Sequence, residues 1–294
     1  MDKLEKILPR VEGLLARLES LVPPVPAAPP DFAAGRAWRW RPTAGGGYLA
    51  PVRQLHDLRL DDLRCLERQR EICVRNTEQF VSGLPANNVL LWGARGTGKS
   101  SLVKALLPEF APRGLRLIEV EKYHLVDLPE IVVQLAGRPQ WFIIFCDDLS
   151  FGAEEPNFRA LKAALDGSLS ATPANVLIYA TSNRRHLLPE FAEENLAAGL
   201  VDGELHSGEA VEEKISLAER FGLWLAFHPL RREQYEEIVF HWLSRLGVAV
   251  AEPEVVRREA RRWGRQRGAY NGRTAWHFAR DWAGRQGLAA RTGR

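Results

Sequence analysis

The sequence predicts an α/β protein, a parallel sheet covered by helices on both faces, followed by a small helical domain. Short apolar runs alternate with amphipathic helical patterns between residues 58 and 228. The runs are rich in valine, isoleucine and phenylalanine and show little polar alternation, which is typical of strands buried on both faces. After residue 228 the strand signals stop and helical patterns remain. These observations define two domains, 58–228 and 229–294.

The segment before residue 58 has a different composition. Apolar residues at three-and-four spacing predict an amphipathic helix over residues 1–22. Residues 23–57 are rich in proline and glycine, which predicts a linker, although Trp38 and Trp40 suggest that part of it docks on another element. A long helical pattern follows at about 58–82.

The predicted strands and helices then alternate, which requires right-handed crossovers between parallel strands. The strand segments are NVLLWG, LRLIEV, WFIIFCDD and NVLIYATSN, and the helical segments are SLVKALL, LPEIVVQLA and FRALKAALDG. Three helical patterns, near 230–246, 253–267 and 273–286, form the second domain.

The composition excludes several classes of protein. Hydrophobic residues make up 46% and charged residues 26% of 294 residues, which is typical of a folded globular chain. No apolar run reaches the roughly 18 residues of a membrane span, and residues 1–20 show neither the uninterrupted apolar core nor the small-residue cleavage site of a secretion signal. We therefore expect a cytoplasmic protein with no membrane contact. Three cysteines without a CxxC pair argue against a zinc module or a disulfide framework.

A phosphate-binding motif follows the first apolar strand. The segment from Gly93 to Ser100, GARGTGKS, fits the P-loop pattern G-x-x-x-x-G-K-[ST]. Glycines allow backbone N–H groups to approach phosphate oxygens, and the next helix directs its positive end at the same anion. Lys99 would bind the β and γ phosphates and Ser100 would bind Mg²⁺. The candidate nucleotide-binding residues are Gly93, Ala94, Arg95, Gly96, Thr97, Gly98, Lys99, Ser100 and Ser101.

Polar residues end two later strands. Asp147 and Asp148 follow WFIIFC, as in a Walker B segment, so that Asp147 would hold Mg²⁺ and Asp148 would be the base or position water. The next strand ends in Thr181, Ser182 and Asn183, whose side chains could reach the γ-phosphate or the attacking water. The carboxyl ends of parallel strands lie at one edge of the sheet, so these groups are expected to meet the P-loop.

With these segments the chain resembles the AAA+ ATPases, and within them the bacterial DUF815 family. The resemblance covers roughly residues 58–286, and its most specific segments are CDDLSF, ALDGS, NVLIYATSNRRHLLPE and EKISLAERFGLWLAF. It implies a P-loop NTPase fold of three αβα layers with a C-terminal helical lid, ATP and Mg²⁺ as ligands, and ATP hydrolysis. Adenine rather than guanine is implied by the resemblance alone.

The resemblance also implies roles for three residues. Asn183 would be sensor 1, which orients water against the γ-phosphate. Arg220 would be an arginine finger that reaches the nucleotide of a neighbouring subunit, which implies a homo-oligomer. Arg273 would be sensor 2 on the lid. Plainer alternatives are a salt bridge of Arg220 with Glu219 or Glu213, and a solvent-exposed helix-end charge at Arg273.

Two questions stay open at the level of sequence. The common AAA+ acidic pair is Asp-Glu, whereas this chain has Asp147-Asp148, which leaves the assignment of the base open. In addition, Gly152 follows CDDLSF where the family often has an acidic residue, and Glu154 or Glu155 could compensate for it or could belong to a loop. The client is also open. The protein could remodel an unidentified protein client through its N-terminal segment. It could instead be a nucleotide-controlled switch or loader on DNA, which the arginine-rich C-terminal region would contact. A nucleotide that serves only as a structural cofactor is a third alternative.

Overall fold

The computed structural model describes residues 29–43, 45–150, 156–166, 173–183, 200, 201, 204, 205 and 219–292. The predicted N-terminal helix, Glu154 and Glu155 lie outside the described residues. No helix in the described ranges is long and apolar enough to cross a membrane.

A seven-stranded sheet forms the centre of the first domain, in the order β2-β1-β4-β5-β6-β3-β9. All its neighbouring strands are parallel except the β1–β2 hairpin. Its strands are β1 Ala37–Thr43, β2 Gly46–Pro51, β3 Val89–Gly93, β4 Leu115–Val120, β5 Trp141–Cys146, β6 Val176–Ser182 and β9 Leu223–Phe227. A separate short hairpin pairs β7 Leu200–Val201 with β8 Glu204–Leu205.

Helices pack on both faces of the sheet. They are α1 Glu67–Val81, α2 Lys99–Phe110, α3 Leu128–Leu135 and α4 Pro156–Asp166. Every residue of β6 is buried, as are the first three residues of β3 and all residues of β5 after the first, because apolar clusters cover the sheet from each side. The predicted αβα layering is thus confirmed, with the carboxyl ends of β3, β5 and β6 at one edge.

Three helices form the second domain: α5 Arg232–Arg245, α6 Pro253–Gln266 and α7 Gly272–Thr292. Their core includes Tyr235, Val239, Ala260 and Phe278. The Tyr235 hydroxyl donates a 3.0 Å hydrogen bond to the carbonyl of Ala260, which ties α5 to α6. The helical patterns of the sequence correspond to these three helices.

The linker prediction is wrong for residues 37–51, which form the β1–β2 hairpin at the edge of the sheet. Trp40 is fully buried, and its indole N–H donates a 2.8 Å hydrogen bond to Asp127. A Cβ on Gly47 would lie 2.0 Å from the Trp40 ring. Gly47 contributes to the linker-like composition of this segment, but close packing against the Trp40 indole is what requires a glycine there.

The helix predicted at 58–82 is also shorter than expected. Within this range the structure has one 3-10 turn, Leu60–Asp62, and α1 begins only at Glu67. Cys65 has a φ of 62°, in the left-handed region, which interrupts the helix between that turn and α1. Leu63 and Leu66 are buried, although they lie in the connection rather than in a helix.

Candidate nucleotide site

The P-loop connects β3 to α2 and has the conformation that its glycines permit. Gly93, Gly96 and Gly98 have φ values of 130°, 75° and 102°, all in the region that favours glycine. A Cβ on Gly93 would lie 2.1 Å from the carbonyl oxygen of Phe227. The neighbouring Ala94 N–H donates to that same oxygen at 3.0 Å, so the loop begins against β9.

Lys99 lies inside this loop and is 6% exposed. Its ammonium donates to the carbonyls of Gly93 at 2.8 Å and Ala94 at 2.7 Å, and to Asn183 Oδ1 at 3.1 Å. Burial lowers the pKa of Lys99 from 10.5 to about 8, although the carboxylates of Asp148 and Asp147 act in the opposite direction. The loop therefore holds a buried cation whose charge an incoming phosphate would stabilise.

Asp147 connects the P-loop helix to the neighbouring strand β6. Ser100 Oγ and Thr181 Oγ1 each donate a 2.6 Å hydrogen bond to Asp147 Oδ1. A hydroxyl and a carboxylate oxygen are ligands that Mg²⁺ prefers, and Mg²⁺ usually keeps several waters beside one or two protein ligands. Ser100 and Asp147 fit such an ion. Thr181 was expected to face the nucleotide, but its hydroxyl instead orients Asp147.

Asp148 has a φ of 54°, which places its backbone in the left-handed region. Asn183 Nδ2 donates to Asp148 Oδ1, while Asn183 Oδ1 accepts from Lys99. The Asp148 N–H donates to Thr181 Oγ1 at 2.9 Å. Aspartate is tolerated in the left-handed region more readily than glutamate, which gives a physical reason for Asp-Asp at this position.

The first turn of α7 contacts the P-loop directly. The N–H groups of Gly272 and Arg273 point at the Gly96 carbonyl, at 2.9 and 3.4 Å. Asn271 Oδ1 caps the helix by accepting from the Thr274 N–H at 2.9 Å. The exposed Arg273 lies close enough to lower the pKa of Lys99 further. Two helix amino termini, those of α2 and α7, thus converge on the loop, which favours an anion there.

Arg220 is not among the residues around the P-loop. It lies just before β9, and Leu223 of β9 pairs with Val89 at the start of β3, whereas Phe227 pairs with Gly93 at the P-loop end. Four residue steps along a strand span about 13 Å. Arg220 is therefore at the opposite edge of the sheet from Lys99 of its own chain.

A cavity of about 1060 Å³ extends from the P-loop to the boundary between the two domains. Lys99, Ser100, Asp147, Asp148, Asn183 and Arg273 all line it. Sequence reasoning missed its far end, where apolar and aromatic side chains come from the segment before α1 and from α5 and α7. These are Leu58, Leu63, Leu66, Ile238, Trp242 and Trp276. Of these, Leu63 and Leu66 belong to the helical pattern at 58–82, which predicts packing in the core and gives no sign of a cavity.

A buried carboxylate joins the two domains beside this apolar end. Asp62 is 4% exposed and accepts hydrogen bonds from the Arg59 N–H at 2.9 Å and His241 Nε2 at 3.1 Å. Arg245 Nε lies 2.9 Å from Asp62 Oδ1. Since His241 and Arg245 belong to α5, Asp62 fixes the helical domain to the segment that precedes α1.

A second cavity of about 230 Å³ lies beside the acidic pair. Glu121 lines it together with Asp147 and Asp148, from the end of the neighbouring strand β4. The Arg41 guanidinium lies 3.5 Å from the Glu121 carboxylate. Glu121 is thus a carboxylate near Asp148 that sequence order alone did not associate with the site.

Comparison with protein families identifies one match over most of the chain. The family model described as Protein of unknown function (DUF815) matches residues 33–286, a range that includes the β1–β2 hairpin. No curated protein sequence matches the chain.

Solved structures share the fold at low sequence identity. A point mutant of Thermotoga maritima RuvB has a TM-score of 0.51 and 16% identity, covering 76% of this chain and 63% of the RuvB chain. The FIGL-1 AAA domain, in complex with ADP, has a TM-score of 0.51 and 17% identity, covering 78% of this chain and 74% of that domain. The chain thus spans less than two thirds of RuvB. At these identities the likeness shows the AAA+ P-loop fold.

Proposed function

The chain belongs to the DUF815 family and has the AAA+ fold, and we propose that it is an Mg²⁺-dependent ATPase that converts ATP and water to ADP and phosphate. One observation carries the proposal. Asn183 joins Lys99 to Asp148, so that the phosphate-binding cation and a candidate base lie in one hydrogen-bonded chain at the carboxyl edge of the sheet.

Nucleotide binding would replace contacts within the protein by contacts with phosphate. Lys99 now donates to two P-loop carbonyls, and it would turn to the β and γ phosphate oxygens. The P-loop N–H groups and the amino end of α2 would surround the same anion. The apolar end of the cavity, with Trp242 and Trp276, has the character of a site for the base.

Mg²⁺ would be held by Ser100 and Asp147, with Thr181 fixing the orientation of the carboxylate. The ion would neutralise charge on the β and γ phosphate oxygens. Asp148 would orient the attacking water and accept its proton as the water oxygen bonds to the γ phosphorus. The bond to the β–γ bridging oxygen breaks and ADP leaves. Asn183 would align water, Asp148 and Lys99.

Arg220 and Arg273 would complete the site from different subunits. Arg273 lines the cavity of its own chain and would contact the γ-phosphate, so that the helical domain senses hydrolysis. Arg220 lies at the opposite edge of the sheet and could reach only the nucleotide of a neighbour. A guanidinium there would offset charge that develops on the phosphoryl oxygens. Turnover would therefore require a homo-oligomer that acts on an unidentified macromolecular client.

The second candidate is a nucleotide-controlled switch or loader on DNA with little hydrolysis. Two observations favour it. The Asp148 side chain is shorter than the usual glutamate and is held by Asn183, and the helical domain carries exposed arginines. Under this alternative the nucleotide would set the position of the helical domain without rapid turnover. A nucleotide that only stabilises the fold remains the third class.

Phosphate release at increasing protein concentration, with ATP and Mg²⁺, tests the proposal. We expect turnover per subunit to rise as oligomers form and to disappear in Lys99→Ala. Lys162→Ala, which removes the same charge from α4 outside the cavity, is the control. Lys99-dependent ATP binding without turnover would favour the switch. Binding that does not depend on Lys99 would contradict both.

A further inference from the structure

The outward face of α6 carries a row of three arginines, Arg258, Arg262 and Arg265, called here the α6 arginine row. All three are exposed. Their spacing of four and three residues places them on one side of the helix. The opposite side carries Val256, Ala260 and Gly264, which are buried against the core of the helical domain.

The remaining arginines in the same helix have structural partners. Arg261 Nε lies 2.6 Å from Glu236 of α5, and Arg257 Nε lies 3.7 Å from the same carboxylate. Among the residues that the structure describes, Arg258 pairs only with its neighbour Glu259, at 3.7 Å. Within the described part of the chain, Arg262 and Arg265 have no hydrogen-bond or ion-pair partner. The pairs with Glu236 hold α6 in place, so the fold does not need the α6 arginine row.

The row also has an energetic cost. Like charges at helical spacings of three and four residues destabilise a helix. Glu254 stands one turn before Arg258 on this side but pairs with Arg257, so no acidic residue separates the three arginines of the row. Arginine supplies a planar fork of donors that matches phosphate, and it stays charged at all accessible pH values.

We propose that the α6 arginine row binds the phosphate backbone of duplex DNA. The seven residue steps from Arg258 to Arg265 span about 10 Å at 1.5 Å per residue. That length corresponds to about three phosphates at 3.4 Å per strand. The exposed residues of α6 from 258 to 265 are all arginine, so this stretch offers no aromatic ring that would stack on bases, and the contact is independent of base sequence.

This surface is separate from the ATPase site, because no α6 residue lines the nucleotide cavity. Binding can therefore be measured without nucleotide on the full chain. The probe is a fluorescently labelled DNA duplex of about 30 base pairs, and the readout is anisotropy at several salt concentrations. The test variant is Arg258→Gln/Arg262→Gln/Arg265→Gln. The control is Arg53→Gln/Arg68→Gln/Arg75→Gln, which removes the same charge from exposed positions elsewhere.

We expect the wild type and the control to bind, with log affinity falling steeply against log salt. Each lost phosphate contact reduces that slope by about 0.9, so the triple variant should lose up to about 2.7 and bind at least about tenfold more weakly. Thermal unfolding checks that both variants are folded. If the triple variant is not, Arg262→Gln alone must lower the slope by about 0.9.

Three results would overturn the proposal. The wild type could fail to bind at low salt, or the control variant could weaken binding as much as the test variant, which would indicate net charge alone. In the third result, phosphatidylserine vesicles that are measured in parallel bind through the α6 arginine row and the duplex does not. A membrane surface would then be the partner instead of DNA.

Discussion

Thr181 donates a 2.6 Å hydrogen bond to Asp147, the carboxylate proposed to hold Mg²⁺. Thr181 is 1% exposed, so its hydroxyl is fixed by the sheet on which it lies. The same oxygen atom of Thr181 accepts the N–H of Asp148 at 2.9 Å. One buried hydroxyl therefore orients both members of the acidic pair.

Replacing Thr181 by valine should weaken Mg²⁺ binding about 10- to 100-fold, because partners of a metal ligand position it and tune its basicity. The measurement is the Mg²⁺ concentration that gives half-maximal turnover. Thr181→Ser keeps the hydroxyl and should stay near wild type. Equal behaviour of the two variants would assign Thr181 a packing role.

Nucleotide affinity should depend on pH through Lys99. Burial lowers its pKa to about 8 in the free protein, and bound phosphate requires the charged form. The affinity should thus be level below pH 8 and fall up to tenfold per unit above it. A fluorescent ADP analogue titrated between about pH 7 and 9.5 measures this. Lys99→Arg stays charged over this range, so the affinity of this variant for the analogue should vary little with pH. A flat wild-type profile would contradict the lowered pKa.

Mixing two inactive variants should restore turnover if Arg220 acts on a neighbouring subunit. In an oligomer of Arg220→Ala and Lys99→Ala chains, an intact P-loop can receive the intact Arg220 of its Lys99→Ala neighbour. Phosphate release from the mixture should exceed that of either variant alone. Arg273→Ala mixed with Lys99→Ala is the control and should stay inactive, since Arg273 lines the cavity of its own chain. No recovery in the first mixture would exclude action in trans.

Asp148→Asn should reduce turnover by about 10²- to 10⁴-fold, which is the usual contribution of a general base. ATP affinity should change little, because the base acts on water. Glu121→Gln tests the nearby carboxylate in the second cavity and should stay within a few-fold of wild type. The reverse order of effects, measured by single-turnover phosphate release, would assign the base to Glu121.

Gly47→Ala should destabilise the fold by about 1–3 kcal/mol, the usual cost of overpacking a core. The new methyl would lie 2.0 Å from the Trp40 ring. Gly45→Ala, in the same turn, meets no heavy atom within 4 Å and should change stability by less than about 0.5 kcal/mol. Chemical denaturation of both variants compares them. Equal stabilities would show that the hairpin moves away from the ring at little cost.

The sequence by itself determined the fold class and located the loop that we propose to bind phosphate. Apolar runs without alternation require strands buried on both faces, and glycines before Lys99 require a loop open to phosphate. Asp147, Asp148 and Asn183 follow from strand ends, because parallel strands bring their carboxyl ends to one edge. These features depend on local spacing, which a single sequence contains.

Only the tertiary structure decided the rest, because it depends on contacts between distant segments. Gly47 lies in a segment with the composition of a linker, and only the fold shows that the Trp40 indole occupies the space where its Cβ would be. Asp62 and Arg245 are far apart in sequence, and their ion pair brings the helical domain to the nucleotide cavity. The division of the α6 arginines into paired and outward-facing groups likewise depends on where Glu236 of another helix lies. Composition cannot specify such pairings, since packing of the whole chain sets which side chains meet.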